Sequence, residues 1–283
     1  MGGQVLRFSS SHQCSVKGVF NMARPSGERF DMGRVFSGTI AAISANWMSI
    51  LGITVVAGIL SAAANSVVMS DMAGFVDAAN VGAVEPMSVF TSWSFYVSSV
   101  GGLIISAFAQ AAIVQALFAR DAGNAVTPVD VMMGGLRFVL PLTGLTILCW
   151  IAISIGFVLF FVPGAILITM WSVCVPVLIG ENSGVIAAFG RSRALTKGIR
   201  WAVFGTLLLF ALGLAFISTA FQGFSTTGLM QLYQTNIILA SLVGVLLFAV
   251  QTALLSAFLY ALYNEVRLVN EGRAPDSLAE IFS

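Results

Sequence analysis

The residues of this chain that could do chemistry are few and unevenly placed. Four basic side chains, Arg191, Arg193, Lys197 and Arg200, fall within ten residues of one another. Such a cluster attracts anionic headgroups or an acidic partner surface, each charge being worth about 1 kcal/mol near an anionic leaflet. Its plainer role is to set membrane orientation. The single histidine, His12, stands in a polar N-terminal stretch, and Cys14, Cys149 and Cys174 lack the spacing of a metal site or disulfide framework. No metal or cofactor is therefore expected, and nothing marks nucleic acid as a partner. The long apolar stretches hold no Asp, Glu, His, Lys or Arg. Proton relays, Ser/His proteolysis and zinc hydrolysis all lose their residues, so the sequence reads as non-enzymatic. The polar groups that do fall there are Asn65, Gln110, Gln115, Gln222, Gln251 and Thr252. They suit hydrogen bonds between helices or, alternatively, a polar track for a solute or lipid headgroup.

The elements that must position these residues follow from composition. Hydrophobic residues make up 58% and charged residues 9% of the 283 positions, far below the roughly 25% charge of a soluble domain. Charge-free runs cover 35–70, 86–119, 138–180 and 201–264. About 20 apolar residues cross a bilayer, so the first two runs hold one helix each and the last two a helical hairpin each. Val162, Pro163 and Gly164 break one hairpin, and the Gly- and Thr-rich stretch from Gln222 to Asn236 breaks the other. The expected fold is all-α, with six spans near 47–69, 87–117, 138–161, 164–181, 202–222 and 237–262. Continuous apolar runs disfavour a β-barrel, whose strands alternate over about 10 residues. Pro163 and Gly164 supply a tight turn, and Pro176 is expected to kink the fourth span and free a carbonyl.

All 13 Lys and Arg residues fall on one side of this arrangement, whereas the opposite loops carry Asp71, Asp77 and Glu85. That is the positive-inside pattern with both termini cytoplasmic. The excess of Arg over Lys, with abundant Ala and Gly, points to a bacterial inner membrane. The first 34 residues show no apolar core or cleavage site of a signal peptide, and Met22 and Met32 are alternative starts to Met1. The expected organisation is a tail over 1–31, a membrane domain over 32–268 and a short cytoplasmic tail over 269–283.

A short amphipathic segment precedes spans one, three and five. Phe36, Ile40, Ile43 and Trp47 share one helical face, as do Val129, Met133, Leu136 and Leu140. In the third segment Val185, Ala188, Phe189, Leu195 and Ile199 form the stripe, with Asn182 or Ser183 as the cap. Three cytoplasmic interfacial helices are expected, each with its apolar side toward lipid or the bundle. The segments starting at Ser37 and Ser183 are weakly alike, which suggests three repeats of interfacial helix plus hairpin.

Phe161-Val-Pro-Gly, Trp171, Pro176, Glu181, Ala188, Arg191-Ser192, Leu195, Lys197-Gly198 and Trp201 form a bacterial signature. With Gly33-Arg34-Val35-Phe36 and Tyr263-Asn-Glu-Val-Arg267 to Glu271-Gly272, it resembles the membrane-domain family attached to some glycerophosphoryl diester phosphodiesterases and related six-span bacterial proteins. The resemblance covers about residues 32–283 and implies the membrane part alone, since the phosphodiesterase activity of that family resides in a separate soluble domain. The expected role is to organise membrane lipid or a membrane or cytoplasmic protein partner at the cytoplasmic interface. The alternative is a permease-like transport component working with a separate ATPase, although the Ala and Gly spacing after Ile186 does not match the usual coupling pattern.

Overall fold

The first apolar run is part of a helix far longer than a bilayer is thick. A computed structural model describes residues 29–80, 93–123, 128–225 and 236–272, which form helices and turns with no strand among them. Helix α1 spans Met32–Asn80, α2 Trp93–Asp121, α3 Pro128–Leu159 and α4 Phe161–Trp171. Helix α5 spans Cys174–Gly180, α6 Val185–Leu195, α7 Arg200–Ser225 and α8 Ile237–Glu271. Six stretches are long and apolar enough to cross a membrane: Met32–Ala64, Tyr96–Asp121, Val129–Leu159, Val162–Gly180, Arg200–Ile217 and Ser241–Glu271. The chain is thus an all-α multi-pass membrane protein, with α4 and α5 sharing the fourth crossing.

Helices α1, α2 and α8 pack most extensively on one another, and α3 to α6 build outward from α2. Burial of apolar surface cannot drive this assembly inside lipid, so close packing of small residues must. A Cβ on Gly58 would lie 2.8 Å from the Val245 side chain, which marks a close approach of α1 to α8. At the other seam, a Cβ on Gly180 would lie 2.5 Å from the Phe118 ring. Phe118 in turn meets Tyr260 and Tyr263 edge-on at 4.9 and 5.7 Å. Helix α7 is held to α8 by Phe210 stacked on Phe258 at 3.7 Å, and most of its remaining surface is outward and apolar.

The α3–α4 hairpin turns on a single extended residue, Phe160, with φ −165°. Pro163 lies in the first turn of α4, where its missing N–H breaks no helical hydrogen bond. Gly164 lets the two arms close: a Cβ there would stand 2.7 Å from the Phe157 ring, and one on Gly156 would stand 3.0 Å from Gly164 Cα. Pro176 acts four residues ahead of itself. It lies inside α5, and the fourth crossing breaks at Ser172 and Val173 because a proline can neither donate to the carbonyl of residue i−4 nor fit against it. The helix restarts with Val177 N donating to Val173 O at 3.1 Å.

The three amphipathic segments take three different forms. The first is continuous with span one, bent at Asn46 (φ −122°, ψ 18°); Val35 and Thr39 are buried, while Ile40 and Trp47 face outward. The second is the straight start of α3, opened by Pro128 with Asp130 in its first turn. Its stripe of Val129, Met133, Leu136 and Leu140 is exposed, and Val131, Phe138 and Leu142 face the bundle. Only the third, α6, is a separate helix. There the stripe turns inward, with Ala188 and Leu195 buried and Ile186 outside. Its N-cap is Gly184, not Asn182 or Ser183: Asn182 adopts φ 48° and Ser183 Oγ points to Val177 O at 3.5 Å. Thr127, which precedes the second segment, lies outside the described residues, as do Glu85, His12 and Cys14. Asp71 and Asp77, expected in a loop, fall within α1. Helix α8 extends through Glu271, past the expected domain edge at 268.

Candidate functional site at the polar end

An even number of crossings returns both ends of the described chain to the same side. The starts of α1, α3 and α7 therefore meet the ends of α2, α5 and α8, with α6 lying among them. Every described Lys and Arg (Arg29, Arg34, Arg120, Arg137, Arg191, Arg193, Lys197, Arg200 and Arg267) belongs to this end. Contacts knit the end together. Arg120 Nη1 donates to Asn46 Oδ1 at 3.3 Å and to Ala45 O, and Arg137 Nη2 donates to Asn182 Oδ1 at 2.9 Å. Tyr260 OH donates to Asp121. At 1.5 Å per residue, the 31 residues from Ser241 to Glu271 span about 46 Å, against a hydrocarbon core of roughly 30 Å. The last turns of α8 thus project toward water, which is why they tolerate Glu265, Arg267 and Glu271.

Two ion-pair clamps hold this end. In the first, Arg34 at the start of α1 grips Glu265 of α8: Nη2 donates to Oε1 at 2.6 Å and Nε to Oε2 at 2.9 Å. Asp31 N–H donates to Glu265 Oε1 at 3.0 Å, and Arg34 Nη2 also reaches Arg29 O at 2.9 Å. Glu265 is 5% exposed, so these donors are what make its burial tolerable. A bidentate guanidinium fixes geometry as well as charge.

In the second clamp, Arg191 of α6 bridges two carboxylates. Its Nε donates to Glu181 Oε1 and Oε2 at 3.0 and 2.9 Å, and its Nη2 pairs with Glu271. Tyr263 OH adds a donor to Glu181 at 3.1 Å, and Arg267 Nε donates to Glu271 at 3.0 Å. Burial works against the Arg191 charge, but its bonds to Glu181 and Glu271 more than offset that and raise its pKa above the ordinary value. Helix α6 is further tied by Asn270 Nδ2 to Leu195 O at 2.5 Å and by Ser192 Oγ to Met170 O at 2.7 Å.

The basic cluster therefore divides. Arg191 is committed to two carboxylates. Arg193, Lys197 and Arg200 have no ion pair among the described residues, and the Arg200 Nε is buried without a hydrogen-bond acceptor. Gly198, at φ 91°, turns the chain between α6 and α7 in a conformation that favours glycine. Ile186 and Trp201, at either end of this segment, are 85% and 86% exposed. A cationic helix flanked by outward apolar anchors can bind anionic headgroups at a membrane interface.

Pro163 and Gly164 stand at the opposite end of the bundle, and Pro176 is buried in α5; all three shape the backbone and none faces the cationic segment. Among the described residues no three His, Cys, Asp or Glu side chains gather as metal ligands. Cys174 Sγ lies 3.7 Å from Ala188 O, so this thiol helps seat α6. Sequence reasoning missed the roles of Arg34, Glu265 and Glu271, although their segments carried the family resemblance at the two ends of the chain. Tyr260 and Tyr263 are buried donors to carboxylates. No protein-family model, curated protein or solved structure matches the chain.

Proposed function

We propose that the chain is a non-enzymatic protein of the bacterial inner membrane, with both termini cytoplasmic, that gathers anionic lipid at its polar end through α6 and the turn into α7. The carrying observation is the unequal charge balance there. Glu181 and Glu271 neutralise Arg191, while Arg193, Lys197 and Arg200 keep uncompensated charge between the outward Ile186 and Trp201. The outward stripe of Val129, Met133, Leu136 and Leu140 provides a second apolar surface at the same end, suited to the lipid interface.

The test is lipid retention by the intact protein in nanodiscs of mixed phosphatidylglycerol and phosphatidylcholine, read by native mass spectrometry across salt concentrations. Retained lipid should be enriched in phosphatidylglycerol, and the enrichment should decline with salt. Substituting Arg193, Lys197 and Arg200 with Gln should weaken this preference by a factor on the order of a hundred, from about 1 kcal/mol per charge. An unchanged lipid composition would refute the reading. Impermeant thiol labelling of Arg193→Cys, in a chain otherwise lacking cysteine, should require permeabilised cells; labelling of intact cells would reverse the orientation.

A further inference from the structure

Between α2, α3 and the α4–α5 crossing lies a side-opening cavity of about 730 Å³, lined by none of the cationic residues of α6 and the turn after it. Its volume falls in the range of small-molecule sites, roughly 300–1,000 Å³. At 1.5 Å per residue, Ser154 and Trp150 stand about 9 and 15 Å along α3 from the Phe160 turn, so the cavity faces the hydrocarbon region of the bilayer. Its occupant must therefore arrive from lipid.

The wall is apolar but rich in hydrogen-bond donors. Gln110, Ser154 and the indoles of Trp150 and Trp171 line it, and none has a hydrogen-bond partner among the described residues. Thr146, by contrast, is engaged, its Oγ1 donating to Leu142 O at 2.8 Å. An unmatched amide or N–H inside hydrocarbon costs several kcal/mol, and a saturated chain offers it nothing. An acceptor oxygen on the occupant would relieve that cost. No Lys, Arg or His lines the cavity, so a carboxylate or phosphate would be poorly stabilised there.

We propose that this cavity binds an uncharged, carbonyl-bearing lipid that enters sideways from the bilayer, with its carbonyl oxygen accepting from the Gln110 amide and its chain lying along the Trp150 and Trp171 rings. The proposal does not rest on the anionic-lipid surface; Trp171 also packs on Phe189 of α6 at 4.8 Å.

Trp150 and Trp171 make the site directly readable. The full-length protein, with Trp47, Trp93 and Trp201 changed to Phe, is reconstituted in phosphatidylcholine vesicles. It is then titrated with dibrominated stearoyl methyl ester, with a dibrominated alkane of equal chain length, or with ionised dibromostearate. The ester should quench saturably at a membrane mole fraction about five- to tenfold below that needed by the other two, the effect of one to two hydrogen bonds in lipid. Gln110→Leu should bring the ester down to the level of the alkane, with the thermal midpoint confirming that this variant folds. Because ester and alkane are compared on the same protein, the result does not depend on the variant. Equal quenching by all three probes, or by ester and alkane alone, would overturn the proposal.

Discussion

Glu265 and Glu271 stand on the same last turns of α8, and each is gripped by an arginine from a distant part of the chain, yet the two clamps are built for different tasks. Glu265 is 5% exposed and takes a bidentate guanidinium plus a backbone N–H from the α1 entry. Glu271 is 31% exposed and shares Arg191, itself 35% exposed, with Glu181. The buried Glu265 carboxylate cannot lose Arg34 without being left a poorly paired charge, whereas water can replace either partner of the open clamp. The α1–α8 clamp is therefore a fixed fastening of the bundle. The α6 clamp is an adjustable strut that holds a short helix, and the free cations beside it, in place.

The largest expected effect tests the fixed clamp. Glu265→Ala removes the carboxylate that Arg34 Nε and Nη2 and the Asp31 N–H share, and should destabilise the fold by about 3 kcal/mol, seen as a lowered thermal midpoint in detergent micelles. If Glu271→Ala costs as much, the distinction between the clamps fails. Next comes Arg191→Ala, for which about 1–2 kcal/mol is expected once solvent screening is allowed for. Its mark should be local: amide hydrogen exchange should rise across Val185–Leu195 and stay unchanged in α1 and α8. Tyr263→Phe removes only the hydroxyl that donates to Glu181, and a loss near 1 kcal/mol in the same unfolding assay is expected. Smallest is Arg267→Ala, which breaks an i,i+4 pair worth about 0.3–0.5 kcal/mol. That difference should vanish in high salt, while the Glu265→Ala deficit should persist.

The six crossings were legible because charge-free runs report the bilayer directly, and the polar end was legible because its basic residues avoid the opposite loops. The clamps were not. Arg34 and Glu265 lie 231 residues apart, and nothing local to either indicates the other. The orientation of the apolar stripes was also hidden. A stripe such as Val129, Met133, Leu136 and Leu140 reads the same whether it meets lipid or protein, since both are apolar; here it faces outward, while the α6 stripe faces inward. Periodicity finds a face but not its neighbour. The kink that Pro176 implies in the fourth span was legible, and it falls at Ser172 and Val173 because a proline disturbs the carbonyl four residues before it.

The measurement that reaches furthest sets Arg191→Gln beside the combined Arg193→Gln, Lys197→Gln and Arg200→Gln variant, with phosphatidylglycerol retention read by native mass spectrometry on each. The division of the cationic segment predicts that the triple variant loses its anionic-lipid enrichment at an unchanged thermal midpoint. Arg191→Gln should lower the midpoint, and any lipid loss should scale with the loosening of α6. Equal enrichment in the wild type and the triple variant would contradict it.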